Sequence, residues 1–253
     1  MKNQIKTQTE IAAIRESGRM LAHIHQLLID NAVEGITGLE LDELAKQELK
    51  KLGGTAPFLG YHDFPGVGCI SVNDAVIHGI PNGLSLKNGD VVSFDYGVKY
   101  KGMITDSSRT IIVGGDSFAD KRTVEMLKAT RRALDAGIDQ ALAGNRAGDI
   151  GAAVDEVVRA GGFGSVQQFC GHGVGHEIHE DPEIPNYGNP HSGPLLRVGM
   201  TIAIEPMVLL SGKDDIYIDS DKWTVRSEDG YLTAHEEDTI LITEEGPEIL
   251  TRL

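Results

Sequence analysis

The chain of 253 residues is 40% hydrophobic and 24% charged, a composition that predicts a globular protein with a substantial core and not a disordered segment. Its formal net charge of −15 argues against a general DNA-binding or RNA-binding function, because phosphate binding requires clusters of Lys and Arg. The N-terminus lacks the apolar run of a signal peptide, and no stretch approaches the roughly 18 consecutive apolar residues of a membrane span, so we expect a cytoplasmic protein.

The beginning of the chain predicts two helices. The first follows Thr7 or Thr9, either of which can cap it, and carries apolar residues at helical spacing. The second has Thr37 and Glu40 at capping-box spacing and ends where a pair of glycines breaks the pattern.

Two predicted strands close the first half, and the same order of elements then begins again. The segments "DVVSFDYGVKY" and "RTIIVGG" predict a β-hairpin. After Gly115, "SFADKRTVEMLKATRRALDAGIDQALAG" predicts a long helix and "GDIGAAVDEVVRAGG" a shorter one, and glycine-rich loops and strands follow. Antiparallel strands segregated from helices indicate the α+β class.

A comparison of the two halves aligns a strand from each. Residues 86–102 and 196–212 share the pattern of Leu, a basic residue, any residue and Gly, followed by an apolar strand that contains one carboxylate. The alignment places Asp95 on Glu205.

A second strand with a carboxylate follows in each half, at Asp106 and at Glu237. Two matches in the same order predict an internal duplication. We therefore expect a single catalytic domain, 1–253, made of two structurally similar halves at about 10–115 and 116–253 and related by an approximate twofold axis.

These four carboxylates interrupt apolar segments, and each alone is explained as part of a buried salt bridge or as an acid at a strand end. Arranged in pairs, they would repel one another unless cations lay between them. The arginines of this region (Arg109, Arg197 and Arg226) are not expected on the acid-bearing strands, so divalent metal ions explain the pattern better. An oxygen-rich site with one histidine suits Mn, Fe(II) or Co more than a structural zinc.

The stretch "GHGVGHEIHE", residues 171–180, supplies that histidine. Its spacing misses the H-E-x-x-H pattern of a zinc protease helix by one residue, so its histidines are not expected to form one metal site. The glycines on both sides of His172 would let the backbone bend and a substrate approach closely.

Five segments in register resemble the type I methionine aminopeptidases of the compact bacterial kind: "VIHGIPN", "FDYG…ITDSSRT", "GHGVGHEIHEDPEIPNYG", "IAIEPM" and "WTV…AHEEDTILIT". The resemblance covers nearly the whole chain. It implies the pseudo-twofold pita-bread fold, a curved antiparallel sheet with helices packed on its outer face.

The resemblance also implies two divalent metal ions (Co, Mn, Fe(II) or Zn) and a set of five ligands, which are Asp95, Asp106, His172, Glu205 and Glu237. Asp95 would chelate one metal, and Asp106 and Glu237 would bridge both. The metals would share a water or hydroxide that attacks the peptide carbonyl.

Three side chains are implied as catalytic. Glu205 would take a proton from the water and return it to the leaving amine. His179 would stabilise the carbonyl oxygen, and His78 would contact the scissile amide or the leaving group. The implied substrate-binding residues are Phe58, Tyr61, Phe64, Cys69, His78, Ile178, His179 and Trp223.

The implied reaction is removal of the N-terminal methionine from nascent proteins and peptides with a small second residue. The implied partners are therefore nascent polypeptides close to the ribosome, with no membrane and no DNA, and the enzyme is expected to be a monomer. Two other readings share the fold: an X-Pro aminopeptidase or dipeptidase, which usually carries an extra N-terminal domain, and a binding module without catalysis, which usually lacks metal ligands.

Two positions depart from the family pattern. Asp238 follows Glu237 where many relatives carry His or another residue, and an added acid there could alter metal affinity or the acidity of a bridging ligand. His176 stands where relatives often carry Arg, and we expect it beside the site or facing solvent.

Overall fold

The computed structural model describes residues 5–253. Its four α-helices lie where the sequence predicts helices: α1 (Gln8–Asn31), α2 (Gly38–Leu52), α3 (Lys121–Asp139) and α4 (Ala147–Ala160). Two single 3-10 turns, Tyr61–Asp63 and Asp116–Phe118, lie between them. Over the described residues, no helix is long and apolar enough to cross a membrane.

The first two helices begin with complete capping boxes. The Thr7 hydroxyl accepts the backbone N–H of Glu10, whose carboxylate accepts the backbone N–H of Thr7, so Thr7 and not Thr9 is the cap of α1. Thr37 and Glu40 make the same exchange at the start of α2. Gly53 ends α2 in the left-handed conformation, at φ 80°, which glycine adopts at no steric cost.

Fourteen strands are formed by the described residues: β1 (Cys69–Val72), β2 (Ala75–Ile77), β3 (Val91–Tyr100), β4 (Met103–Ile112), β5 (Gly164–Ser165), β6 (Cys170–Gly173), β7 (Glu180–Pro185), β8 (Thr201–Ile204), β9 (Met207–Leu209), β10 (Ile216–Ile218), β11 (Val225–Ser227), β12 (Thr233–His235), β13 (Asp238–Ile242) and β14 (Pro247–Ile249). They form four sheets in the orders β1-β3-β4, β10-β11-β2, β12-β9-β5 and β14-β13-β8-β6-β7. All of the strand pairs are antiparallel, so the predicted α+β class is confirmed.

The predicted hairpin of the first half is the longest strand pair. β3 and β4 pair over all ten residues of each, with Asp95 opposite Ser108 and Gly97 opposite Asp106. The prediction that the second strand begins at Arg109 was wrong, because β4 begins at Met103. The strand begins with the apolar residues Met103 and Ile104, but the buried polar residues 105–109 separate them from the apolar end of the strand and interrupt the hydrophobic pattern.

The second half divides the equivalent hairpin into four short strands. β8 pairs with β13, with Ile204 opposite Asp238, and β9 pairs with β12, with Met207 opposite His235. The ladder is interrupted at Pro206, which has no backbone N–H to donate. The two hairpins meet where Ser108 and Glu237 exchange backbone hydrogen bonds of 3.2 and 3.0 Å.

The helices cover the sheets from outside, and the two largest apolar clusters of the described residues lie beneath them. One core joins α1 and α2 to β3 and contains Leu21, Ile24, Leu41, Phe94 and Tyr96. The other joins α3 and α4 to β8 and β13 and contains Leu134, Ile150, Val154, Ile202 and Ile240. Each helix pair therefore holds one hairpin in place, and the polar side chains of the hairpins lie between the two cores.

Arg109 and Asp238 form a buried ion pair behind the join of the hairpins. The Arg109 Nη2 atom lies 2.5 Å from Asp238 Oδ1, and the same carboxylate accepts hydrogen bonds from Arg252 and Thr251 at 2.7 Å. Burial alone would raise the pKa of Asp238, but Arg109 and Arg252 lower it overall. Arg109 therefore lies on an acid-bearing strand, contrary to the sequence expectation. It nevertheless pairs with Asp238 and with none of the four carboxylates predicted as ligands.

We expect Asp238→Ala to reduce the free energy of unfolding by about 3–5 kcal/mol, because it leaves the buried Arg109 guanidinium without its counter-charge. Urea denaturation followed by circular dichroism measures this loss. Glu16→Ala is the matched control, since Glu16 pairs with Arg19 on the surface and should cost no more than about 1 kcal/mol. Equal losses in the two variants would contradict the structural role of Asp238.

Candidate metal centre and substrate pocket

The five predicted ligands converge between the two halves of the chain. The Asp106, His172 and Glu237 side chains each place one ligand atom within 4.8 Å of the others. The His172 Nε2 atom lies 3.9 Å from Asp106 Oδ2 and 3.7 Å from Glu205 Oε1. Asp95 lies beside Asp106, on the adjacent strand and on the same face, because directly opposed and diagonal residues of a strand pair share a face.

Each ligand is held by a different element. Asp95 and Asp106 lie on β3 and β4, His172 lies on β6, Glu205 directly follows β8, and Glu237 lies between β12 and β13. The Asp106 backbone is fixed by Thr239, whose hydroxyl accepts the Asp106 N–H and donates to the Asp106 carbonyl.

Burial makes this cluster of acids unfavourable as free carboxylates. It raises the pKa of Asp95 to about 7 and that of Glu205 to about 8. Burial also raises the pKa of Asp106 and of Glu237 well above the usual range, and repulsion from the neighbouring carboxylates adds to the effect. Four such groups are stable as anions only beside compensating positive charge.

The donor set fits divalent cations. Asp95 Oδ1, Asp106 Oδ1 and Glu237 Oε1 are buried oxygens with no hydrogen-bond partner among residues 5–253. Buried polar atoms are ordinarily paired, so three unpaired oxygens facing one point indicate a missing partner of opposite charge. Carboxylate oxygens with a single imidazole nitrogen are a ligand set of Mn, Fe(II), Co and Zn sites.

His172 presents a lone pair toward the acids. Its Nδ1 atom lies 2.9 Å from the Gly173 carbonyl oxygen, which can only accept, so Nδ1 carries the proton and Nε2 is free to bind a metal. Burial lowers the pKa of His172 to about 3, which keeps the ring neutral.

The glycines beside His172 serve close packing and not bending. A Cβ atom on Gly171 would lie 2.3 Å from the Ala203 carbonyl oxygen, and one on Gly173 would lie 2.3 Å from the Asp181 carbonyl oxygen. These glycines therefore allow β6 to fit between β7 and β8, and their expected role in the approach of the substrate stays a prediction.

His179 and His78 lie on the other side of the cluster. The Tyr61 hydroxyl is 3.0 Å from His179 Nδ1, and partial burial lowers the pKa of His179. The His78 backbone has a φ of 58°, an uncommon value for a residue with a side chain, and its ring makes edge contacts with Phe169 and Trp223. Burial lowers the pKa of His78 to about 4, so both imidazoles are neutral at pH 7.

An apolar pocket of about 140 Å³ opens onto the acids. It is lined by all five predicted ligands and by all eight predicted substrate-binding residues. Burial raises the pKa of the Cys69 thiol, so this side chain is a neutral part of the wall. Trp223, although it follows a polar loop, packs its ring edge to face on Phe64 at 5.1 Å.

Three lining residues were missed from the sequence: Ile77, Phe169 and Cys170. Ile77 directly precedes His78, and Phe169 and Cys170 directly precede the "GHG" segment that contains His172. Their closeness in sequence to predicted site residues was the one signal that could have indicated them.

His176 is neither a ligand nor solvent-facing. Its Nε2 atom lies 2.7 Å from Glu10 Oε1, and its backbone N–H donates to Glu180 at 2.6 Å. Glu180 also accepts a hydrogen bond from the buried Lys6 amine at 2.6 Å. The start of α1 therefore holds the loop that carries Ile178 and His179.

Comparisons with known proteins agree with this geometry. The profile of metallopeptidase family M24 matches residues 12–244. The methionine aminopeptidase of Clostridium perfringens is 42% identical over 247 residues, covering 98% of each chain, and methionine aminopeptidase 1 of Bacillus subtilis is 43% identical over 248 residues, also covering 98% of each.

Solved structures give the fold. The crystal structure of the Thermotoga maritima methionine aminopeptidase superposes with a TM-score of 0.95 at 41% identity, over 98% of this chain and 99% of that one. The prolidase of Pyrococcus furiosus superposes with a TM-score of 0.80 at 26% identity, over 99% of this chain and 66% of that one. The predicted pita-bread fold is confirmed, and the chain belongs to metallopeptidase family M24.

Proposed function

We propose that the protein is a metal-dependent aminopeptidase that removes the N-terminal methionine from nascent proteins and peptides with a small second residue. The observation that carries the proposal is the pocket, which is apolar along its walls and ends beside four buried carboxylates and His172. Its volume of about 140 Å³ is close to that of an engineered cavity that holds one benzene molecule, a size that suits one long apolar side chain.

Asp95, Asp106, His172, Glu205 and Glu237 would hold two divalent ions, of Co, Mn, Fe(II) or Zn. When bound, such ions supply Lewis acidity toward a carbonyl oxygen and lower the pKa of water toward neutrality. All further steps are assigned to side chains of the chain itself.

Glu205 is assigned the proton transfers. Beside bound cations its carboxylate would be ionised, so it can take a proton from the attacking water and return it to the leaving amine. Its Oε1 atom faces His172 at 3.7 Å, inside the cluster.

His179 is assigned to the carbonyl oxygen. When the Tyr61 hydroxyl donates to Nδ1, the proton of the neutral ring is on Nε2, and this N–H can donate to an oxygen that gains negative charge. His78, held between Phe169 and Trp223, is assigned a contact with the scissile amide or the leaving group.

The wall residues Phe58, Tyr61, Phe64, Cys69, Ile178 and Trp223 are assigned the methionine side chain. An apolar side chain in the pocket brings the N-terminal amine and the first carbonyl next to the carboxylates. We further propose that the enzyme is a monomer that acts in the cytoplasm near the ribosome, and its two free cysteines suit a reducing compartment.

An X-Pro peptidase is the second candidate, since the prolidase shares the fold at 26% identity. The identity of 41% to 43% with methionine aminopeptidases over nearly the whole length of both chains favours the methionine enzyme. A binding module without catalysis is less well supported, because all five ligand positions retain metal-binding side chains.

Protein that has been stripped with a chelator and reloaded with Co, Mn or Fe(II) should release methionine from a Met-Ala-Ser peptide and leave Ala-Pro intact. Chromatography of the products with each metal measures both activities. The stripped protein is the control and should be inactive. Cleavage of Ala-Pro without cleavage of Met-Ala-Ser would instead assign the X-Pro activity.

Asp106→Ala and Glu237→Ala should each lower metal content and reduce kcat/KM by more than about 100-fold, since loss of an outer partner of a metal ligand already costs 10–100-fold. Metal analysis and peptide hydrolysis give the two readouts. Glu177→Ala is the matched control, because it removes an exposed acid near the same pocket. Full metal content in both ligand variants would contradict the proposed metal centre.

Metal-free protein should lose stability as the pH rises from about 7 to 9. A carboxyl group whose pKa is raised by folding binds a proton that the unfolded chain does not. Its contribution to the free energy of unfolding is therefore lost as the pH rises through its pKa in the folded protein. Burial sets those values at about 7 for Asp95 and about 8 for Glu205. Below about pH 7 the buried histidines make the stability rise with pH, because burial lowers the pKa of His172 to about 3 and the unfolded chain binds a proton that the folded protein does not.

Thermal unfolding at pH 7, 8 and 9, with chelator or with excess Mn(II), measures this dependence. Bound cations keep the carboxylates ionised, so the loaded protein should not show the loss. The same Tm at all three pH values in chelator would contradict the burial of these acids.

A further inference from the structure

His235 is a buried histidine that neither the sequence motifs nor the proposed mechanism uses. It is the last residue of β12 and is 1% exposed. Its backbone is fixed on both sides, because its N–H donates to the Thr110 hydroxyl and its carbonyl accepts hydrogen bonds from Ser108 and Thr110. The ring, in contrast, has no hydrogen-bond partner at either nitrogen among the described residues.

The nearest charged atom to this ring belongs to a predicted metal ligand. His235 Nε2 lies 3.4 Å from Glu205 Oε2, while His172 Nε2 lies 3.7 Å from Oε1 of the same carboxylate. Glu205 is thus enclosed by two imidazoles, one at each oxygen. The contact at Oε2 is close enough for a hydrogen bond but is not aligned as one, and such contacts commonly align when a site is loaded.

The strand register gives an independent reason for the position of His235. In the first half, Asp106 lies opposite Gly97, two residues after Asp95. In the second half, His235 lies opposite Met207, two residues after Glu205, the counterpart of Asp95. His235 therefore occupies the position in the second hairpin that Asp106 occupies in the first, and the strand geometry that turns Asp106 into the cluster turns His235 toward it.

We propose that His235 is a positioning residue of the metal centre: its Nε2–H donates to Glu205 Oε2 and thereby holds Oε1 toward His172. Carboxylate ligands of metal sites are themselves held by hydrogen bonds from outer partners, and this one fixes the orientation of Glu205. The inference rests on the proposed function to the extent that Glu205 is a metal ligand.

A purely structural histidine would be expected to satisfy its ring within the fold. His25 does so at one of its two ring nitrogens: it is buried, and its Nε2 atom lies 2.8 Å from the Ser107 hydroxyl and 3.0 Å from the Ser107 carbonyl, whereas His235 has no such partner at either nitrogen. An imidazole held as firmly as His235, with Glu205 as its one close acceptor, costs stability unless that contact is used.

The test compares His235→Leu, which removes the donor, with His235→Gln, whose amide N–H can reach a similar place. Calorimetric titration of the stripped protein with Mn(II) alone should show about 10–100-fold weaker binding for the Leu variant and a change of less than about threefold for the Gln variant. The visible spectrum of the Co(II)-loaded protein should change in the Leu variant only. Thermal unfolding confirms that both variants fold.

A double-mutant cycle tests whether His235 acts through Glu205. In a Glu205→Gln background, His235→Leu should no longer weaken Mn(II) binding, because the contact has already been altered. The proposal is overturned if a folded Leu variant binds Mn(II) as the unchanged protein does, or if the Gln variant loses as much affinity as the Leu variant. If the Leu variant does not fold, the Gln variant decides alone: retained affinity supports the proposal and a tenfold loss overturns it.

These results are independent of the peptide. Protein that shows the expected Mn(II) affinities but releases no methionine would refute the proposed substrate and leave the role of His235 intact. Protein that binds no Mn(II) at all would refute both.

Discussion

The structure depends on the burial of four carboxylates around one point. Asp95, Asp106, Glu205 and Glu237 come from both halves of the chain, and burial raises the pKa of each. A fold that brings such groups together is stable with ionised acids only if cations enter. Metal binding and the docking of the two hairpins are therefore linked, since the same side chains do both.

The strand alternation keeps other positive charge away from this point. Ser108 and Glu237 pair at the join, so their successors Arg109 and Asp238 face the opposite side, where Arg109 and Asp238 form an ion pair. Arg109 also donates to the Glu237 carbonyl at 2.5 Å, which fixes the ligand by its backbone without neutralising its side chain. The acid at position 238 therefore stabilises the join, and its charge is also one of the causes that raise the pKa of the neighbouring Glu237, after burial and the other carboxylates.

The sequence predicted what local patterns can encode. The helices followed from caps and apolar spacing. The acids that meet at the candidate site followed from carboxylates in apolar strands and from the family resemblance, and their role as ligands stays a prediction. The start of β4 was missed because buried polar residues in the middle of the strand separate Met103 and Ile104 from its apolar end. His235 was missed because nothing in "TAHEEDT" shows which side chain faces inward. The contact of Lys6 with Glu180 spans 174 residues of sequence, a separation at which no local pattern is informative. The predicted duplication stays a prediction. The registers match Asp106 with His235 and not with Glu237, the carboxylate that the sequence comparison paired with it.

The pocket and the acids also constrain each other. Cys69 is opposite Asp95 in the pairing of β1 with β3, so the wall proposed to contact the methionine side chain also excludes water from a carboxylate. Low polarity at this wall favours an apolar substrate side chain and at the same time raises the pKa of the acids behind it. A wider or wetter pocket would accept more substrates but would also let the carboxylates ionise in water without metal. Selectivity for one apolar side chain and dependence on metal thus arise from the same dehydrated surface, which explains why the fold places the two next to each other.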